Sequence, residues 1–261
     1  MQYHAMDGES IKKLMAAVGQ DFFKLCVNRC GSHVIQALFH AASRTLSSQP
    51  QDQALGELLA SFVATVKEKL SDCIRHPYAS HVLGGVLQDL GGVSLAEQMG
   101  RSRYSQEFRK AKMFSTAGGG GGKKASTVSM PEWCADSLDS IAKKIAKMSD
   151  LEEMLTHQNG SPVLQCLLYV LAYRLPARGQ KVTKKILKLS RVLGSSDDGG
   201  SDDGGREGTG ALPDMFTDMV GSHLVEAMIA SAQPDLQQLI FNTCFRSQRL
   251  ALWRSCLPGT L

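Results

Sequence analysis

The segment Gly31-Ser32-His33-Val34-Ile35-Gln36 begins a pattern that the chain repeats three more times. The other copies are Ala79-Ser80-His81-Val82-Leu83-Gly84, Gly160-Ser161-Pro162-Val163-Leu164-Gln165 and Gly221-Ser222-His223-Leu224-Val225-Glu226. A small residue followed by serine is typical of a helix start, and the aliphatic pair that follows is expected to point inward. The pattern therefore predicts four "signature helices", over residues 32–41, 80–90, 162–172 and 222–231.

The four serines are separated by 48, 81 and 61 residues, and two insertions account for the irregular spacing. Without residues 100–131 and 195–210, the spacings become 48, 49 and 45 residues. A period of about 20 to 50 residues is typical of stacked helical arrays. We therefore expect an all-α solenoid, with residues 1–261 as one partial array. The insertion at about 100–131 is basic and Gly-rich, and the insertion at about 195–210 is acidic and Gly-rich.

The composition agrees with a helical chain and excludes several other classes. Of the 261 residues, 43% are apolar but only 6% are aromatic, so small aliphatic side chains must supply most of the packing. The longest apolar run, residues 163–173, is too short to span a bilayer, and we expect no membrane contact. The seven cysteines lie mostly in apolar helical patterns and indicate buried thiols in a reducing compartment. No zinc-finger spacing follows Cys26 and Cys30, so neither a metal nor a cofactor is expected.

The sequence contains no convincing catalytic motif. The segment Ala117 to Lys124 has Ala where the first Gly of a phosphate-binding loop belongs, and Lys124 stands where Ser or Thr would hold magnesium. Neither Gly-x-Ser-x-Gly nor His-Glu-x-x-His occurs. We therefore expect a protein that is not an enzyme and has no catalytic residues.

The four copies resemble Pumilio repeats. The phrase His76-Pro77-Tyr78-Ala79-Ser80-His81-Val82-Leu83 is more specifically similar to a Pumilio-like group of nucleolar factors in small-ribosomal-subunit biogenesis. The resemblance implies an α-solenoid that binds RNA, acts in pre-rRNA processing and is located in the nucleolus and nucleus. Its implied partners are pre-ribosomal RNA and other ribosome-assembly factors.

The resemblance also implies that each repeat presents a residue triplet to one base. The triplets are Ser32, His33 and Gln36; Ser80, His81 and Gly84; Ser161, Pro162 and Gln165; and Ser222, His223 and Glu226. Glutamine can donate to and accept from a base edge, ionised glutamate only accepts and so favours guanine, and histidine can stack on a base. Two positions depart from the family pattern, because Gly84 has no side chain and Pro162 offers no large π face. All the other triplet residues are predicted RNA contacts.

A helical scaffold of armadillo or HEAT type that binds a protein is the alternative hypothesis. The exposed face of the signature helices distinguishes the two hypotheses. A polar face flanked by basic residues favours RNA binding, whereas an apolar or acidic groove favours the protein-binding scaffold. Two groups of lysines lie outside the repeated pattern and are interpreted as solvated outer faces of helices. These groups are Lys143, Lys144 and Lys147, and Lys181, Lys184, Lys185 and Lys188.

Overall fold

The computed structural model describes residues 7–93, 129–190, 215 and 218–242, and within these ranges the chain forms helices and no β-strand. The helices in chain order are α1 (Gly8–Val18), α2 (Phe22–Cys26), α3 (Arg29–Ser48), α4 (Gln53–Glu68), α5 (Leu70–Arg75), α6 (Ala79–Gly91), α7 (Glu132–Ala146), α8 (Leu151–Met154), α9 (Gly160–Arg174), α10 (Pro176–Leu189), α11 (Met219–Ser231) and α12 (Pro234–Phe241). The insertion predicted at 195–210, and all but the end of that predicted at 100–131, lie outside the described residues.

The helices form two layers. The signature helices α3, α6, α9 and α11 pack side by side in chain order, while the first helices of the repeats pack beneath them, with α1 against α4 and α7 against α10. Because α6 and α9 contact each other directly, no other helix separates the second repeat from the third in the signature layer. The predicted all-α solenoid is confirmed.

The aliphatic pair after each serine faces the core in three of the four repeats. Val82 and Leu83 are at most 2% exposed, and their counterparts in α9 and α11 are also buried. In the first repeat Ile35 is buried, but Val34 is 58% exposed, so the expectation of two inward side chains is wrong there. The reason is that, among the described helices, no signature helix precedes α3 in the layer, whereas α6, α9 and α11 each follow one.

A side chain four residues before each serine caps the signature helix. These side chains are Asn28, His76, His157 and Asp218. Each accepts hydrogen bonds from the backbone N–H groups two and three residues further on, at the start of the helix, as an N-cap does. The signature helices consequently begin one to three residues earlier than predicted, and the serines lie inside the first turn rather than at the cap.

The histidine caps give a testable prediction about stability. His76 Nδ1 accepts from the backbone N–H groups of Tyr78 and Ala79 at 3.2 and 3.4 Å. We expect His76→Ala to lower the free energy of unfolding by about 0.5–2 kcal/mol, measured by chemical denaturation, because two backbone N–H donors at the start of α6 are left without their acceptor. His76→Asn should recover most of this stability, since Asn28 performs the same role in the first repeat. Equal destabilisation in both variants would indicate instead that the ring contact between His76 and Tyr78 matters.

The cysteines do not form a metal site in the described part of the chain. Cys26, Cys73, Cys134 and Cys166 are buried, and burial raises the pKa of each thiol to about 12. The expectation of burial is wrong for Cys30, which is exposed. Helical spacing does not connect Cys30 with Cys26, because α2 ends at Cys26 and Cys30 lies in the first turn of α3. No group of three or more His, Cys, Asp or Glu side chains in the described ranges has metal-binding geometry.

No described helix has both the length and the apolar composition needed to cross a bilayer.

Candidate functional site

Each signature helix presents two residues of the repeat on its exposed side. The residues that follow the serines, His33, His81, Pro162 and His223, are all exposed or partly exposed. Three residues further on, Gln36, Gly84 and Gln165 are partly exposed and Glu226 is exposed. Because the four helices pack side by side in the same register of the repeat, these eight residues form one row, which we call the signature face.

The serines lie behind this row. Ser32, Ser80 and Ser161 are at most 5% exposed, and Ser222 is partly buried. The hydroxyls of Ser32, Ser80 and Ser222 donate to carbonyl oxygens three residues earlier, at 3.0–3.3 Å. Ser161 instead donates to the carbonyl of Val220 at 3.4 Å and so joins the third repeat to the fourth. The serine hydroxyls thus serve the protein's own hydrogen bonds, and RNA contact by them stays a prediction.

The two glutamines of the face adopt similar conformations. Gln36 Nε2 donates to the carbonyl of Ser32 at 3.1 Å, and Gln165 Nε2 donates to Ser161 Oγ at 3.3 Å. Each amide nitrogen is therefore hydrogen-bonded to the first turn of its own helix. The amide oxygen is left to accept a hydrogen bond from a ligand. In the fourth repeat, His223 Nδ1 lies 3.6 Å from Glu226 Oε2, and both side chains are about half exposed.

Gly84 leaves a gap in the row. A Cβ atom placed on Gly84 would meet nothing within 4 Å, so the gap is open and not filled by a neighbour. The carbonyl oxygen of Gly84 accepts from Cys166 Sγ at 3.4 Å, which connects the backbone of α6 to α9. The second repeat therefore presents His81 but no side chain three residues later.

A groove of about 550 Å³ continues from the signature face between α3 and α6. On α3 its wall includes Gln36, His40 and Arg44, which are spaced by four residues and so lie on one side of the helix. On α6 the facing wall includes Gly85 and Asp89. A Cβ atom on Gly85 would lie 3.8 Å from Gln36 Cγ, an ordinary van der Waals distance, so the two helices approach each other closely at this point.

His40 and Asp89 join the two walls of the groove. Their Nδ1 and Oδ1 atoms are 2.8 Å apart, and the hydrogen bond that His40 donates to Asp89 raises the pKa of His40. A histidine whose pKa is raised by folding stabilises the fold below its ordinary pKa of 6.5, and this contribution disappears as the pH rises through the raised value. Arg44 is exposed and forms no ion pair with a described residue. Sequence reasoning missed this groove, although the four-residue spacing from Gln36 to Arg44 is visible in the sequence.

The chemistry of the signature face agrees better with RNA than with an apolar docking groove. None of its eight residues is a large exposed hydrophobic. Its hydrogen-bonding groups are amides, imidazoles and the carboxylate of Glu226, and the exposed cations Arg29 and Arg44 lie on α3 beside it. Amides and imidazoles are the groups that read base edges and stack on bases.

Comparison with known proteins identifies what the chain is similar to. The sequence model of the NOP9-like PUF repeat domain matches residues 3–255. Nucleolar protein 9 of Phaeosphaeria nodorum is 27% identical over 96% of this chain, and nucleolar protein 9 of Homo sapiens is 23% identical over 90% of it. The chain spans about a third of the length of these relatives, 36% in both cases.

Solved structures show the same fold. The structure of APUM23-GGAUUUGACGG superimposes with a TM-score of 0.65 at 19% identity, covering 94% of this chain and 42% of that one. The structure of APUM23-GGAAUUGACGG gives a TM-score of 0.63 at 20% identity, with the same coverage.

Proposed function

Because the chain belongs to the NOP9-like PUF repeat domain family, we propose that its signature face binds single-stranded RNA. Binding without catalysis is the proposed activity, and the partner is RNA. The alternative of an armadillo or HEAT scaffold is disfavoured by the family match and by the absence of a large exposed apolar residue among the eight that form the face.

The observation that carries the proposal is the register of the four signature helices. Each helix presents the residue after its serine at the surface, and in three repeats a hydrogen-bonding side chain follows three residues later. In repeats of this kind one base is read per repeat by two or three side chains. His33, His81 and His223 are the proposed stacking residues, and Gln36, Gln165 and Glu226 are the proposed base-edge residues. Ser32, Ser80, Ser161 and Ser222 would support them from the first turn.

The cellular role is proposed from the relatives. Proteins named nucleolar protein 9 match the chain over nearly all of its length, and APUM23 has been solved together with a ribonucleotide sequence. We therefore assign the chain to the nucleolus and propose pre-ribosomal RNA as its RNA, with a role in processing of the small-subunit precursor beside other assembly factors.

The direct test is a titration of the chain with single-stranded RNA at two salt concentrations, in which fluorescence anisotropy measures binding. We expect saturable binding that weakens as salt rises, with single-stranded RNA preferred over single-stranded DNA because the 2′-hydroxyl distinguishes them. Equal binding of RNA and DNA that disappears at physiological salt would contradict the proposal, since it would leave only non-specific phosphate binding.

The gap at Gly84 gives a gain-of-function prediction. We expect Gly84→Gln to raise RNA affinity by about tenfold, within the roughly 1–3 kcal/mol of a good base-edge contact, because the new side chain enters open space at the position that Gln36 and Gln165 occupy in their repeats. Gly84→Ala is the matched control and should stabilise α6 by about 0.5–1 kcal/mol without changing affinity. Equal affinities of the two variants would contradict base reading by the second repeat.

A further inference from the structure

The groove between α3 and α6 meets the signature face at Gln36, but the rest of its lining lies outside the four triplets. Its volume of about 550 Å³ falls within the range of about 300–1,000 Å³ that is usual for small-molecule sites. Val93 and Met130, which are at most 8% exposed, give it an apolar end just beyond α6. The groove thus offers one apolar contact and polar walls to a ligand as large as a single nucleotide.

The polar side chains of the groove are mainly left to accept hydrogen bonds. Ser43 Oγ donates to the carbonyl of His40 at 3.0 Å, and Ser47 Oγ donates to the carbonyl of Arg44 at 2.7 Å. A hydroxyl carries a single proton, so each of these oxygens can only accept from a ligand. The carboxylate of Asp89 accepts from His40 at 2.8 Å and forms no other hydrogen bond or ion pair with a described residue. It can therefore accept further hydrogen bonds.

The groove also contains a cation that no carboxylate of the described residues engages. Arg44 is exposed and follows His40 on the same side of α3, about one helical turn further on. A guanidinium suits a phosphate, because its N–H groups match two phosphate oxygens. A ligand complementary to this groove consequently carries adjacent hydrogen-bond donors for Asp89 and a phosphate for Arg44.

We propose that the groove binds one guanosine nucleotide of an RNA strand that lies on the signature face. Guanine presents N1–H and N2–H₂ side by side, whereas adenine and cytosine present one amino group at this edge and uracil one N–H. Asp89, held in place by His40, accepts from both guanine donors, and Arg44 binds the phosphate. This nucleotide is additional to those at the four triplets. The inference rests on the proposed function, because the signature face brings the strand to the groove.

The first experiment tests the base contact without an RNA strand. The chain is titrated with guanosine 5′-monophosphate (GMP) and adenosine 5′-monophosphate (AMP) by isothermal titration calorimetry. We expect GMP to bind about tenfold more tightly than AMP, as a good bidentate base contact discriminates. Asp89→Asn should bind the two nucleotides about equally, although its amide oxygen still accepts from His40. The matched control Asp136→Asn, which changes an exposed carboxylate on α7, should keep the wild-type ratio.

The phosphate contact is tested with guanosine beside GMP. We expect the wild type to prefer GMP, and Arg44→Gln to bind GMP only as tightly as guanosine. Arg44 is exposed, so this variant keeps the core intact, and Lys184→Gln on α10 is the control that should keep the preference for GMP. Equal binding of GMP and AMP by the wild type would overturn the proposal. Tighter binding of argininamide than of GMP would also overturn it, in favour of a basic side chain of a protein partner.

The second experiment identifies the source of the nucleotide. Fluorescence anisotropy compares an oligo(U) strand with the same strand carrying one central guanosine. Glu226 also favours guanine, so every protein in this comparison carries Glu226→Ala. We expect the guanosine to raise affinity about tenfold with Asp89 present and to have little effect in Asp89→Asn.

The two proposals fail in different ways. If oligo(U) bound but the guanosine brought no gain in affinity, the groove inference alone would be overturned. If GMP bound but neither oligonucleotide did, the proposed function would be contradicted and the groove would be a site for a free nucleotide instead of an RNA strand.

Discussion

Replacing both Gln36 and Glu226 with alanine is expected to weaken binding of single-stranded RNA about thirtyfold or more. Removing one base-edge interaction costs on the order of 1–3 kcal/mol, and a change of about 1.4 kcal/mol corresponds to a factor of ten. The two residues lie in the first and fourth repeats, so their effects should add. Fluorescence anisotropy with single-stranded RNA measures the change.

The stability of this variant should stay within about 0.5 kcal/mol of the wild type, because neither side chain belongs to the core. A matched control is Gln53→Ala, Glu57→Ala, which removes the same two residue types from the surface of α4, where they bond to each other at 2.9 Å. This control should leave RNA affinity unchanged. Unchanged affinity in the Gln36 and Glu226 variant would leave only backbone binding, and a lowered melting temperature would show that these side chains support the helices.

The variant Gly31→Ala, Gly221→Ala is expected to lower the free energy of unfolding by about 2–4 kcal/mol. A Cβ atom on Gly31 would lie 2.7 Å from the carbonyl oxygen of Leu25, and one on Gly221 would lie 2.6 Å from the carbonyl oxygen of Met215. Both clashes are with backbone, which cannot rotate away as a side chain can. Overpacking of this kind costs about 1–3 kcal/mol per site, and the better helix propensity of alanine offsets only about 0.5–1 kcal/mol of it. Urea denaturation measures the difference.

The control for this variant is Gly56→Ala, Gly85→Ala. Both glycines lie within helices, and the nearest atoms to a new Cβ are 4.0 and 3.8 Å away, which is ordinary van der Waals distance. This double variant should stabilise the chain by about 0.5–1 kcal/mol per site. If the two double variants were equally stable, the close approach of Leu25 to Gly31 and of Met215 to Gly221 would not constrain the repeat.

Most of the repeat architecture could be predicted from the sequence, because a repeat is a local unit. The small residue, the serine and the aliphatic pair recur in one frame, and this frame alone predicted four signature helices and an α-solenoid. The surface positions after each serine also followed from helical periodicity. The capping residues His76 and His157 were missed, because histidine is not among the usual N-cap residues. The frame nevertheless contained the signal, since both stand four residues before a serine, as Asn28 and Asp218 do.

Helical periodicity and the repeated frame were enough to establish which side of each helix faces the core and that the helices stack. They could not establish which helices pack beside a given helix, since the neighbours in a layer are formed by segments far apart in the chain. Val34 is exposed and Val82 is buried although both occupy the same repeat position, because their helices differ in the neighbours they have. The groove between α3 and α6, with the hydrogen bond from His40 to Asp89, likewise arises only when separate helices pack against each other.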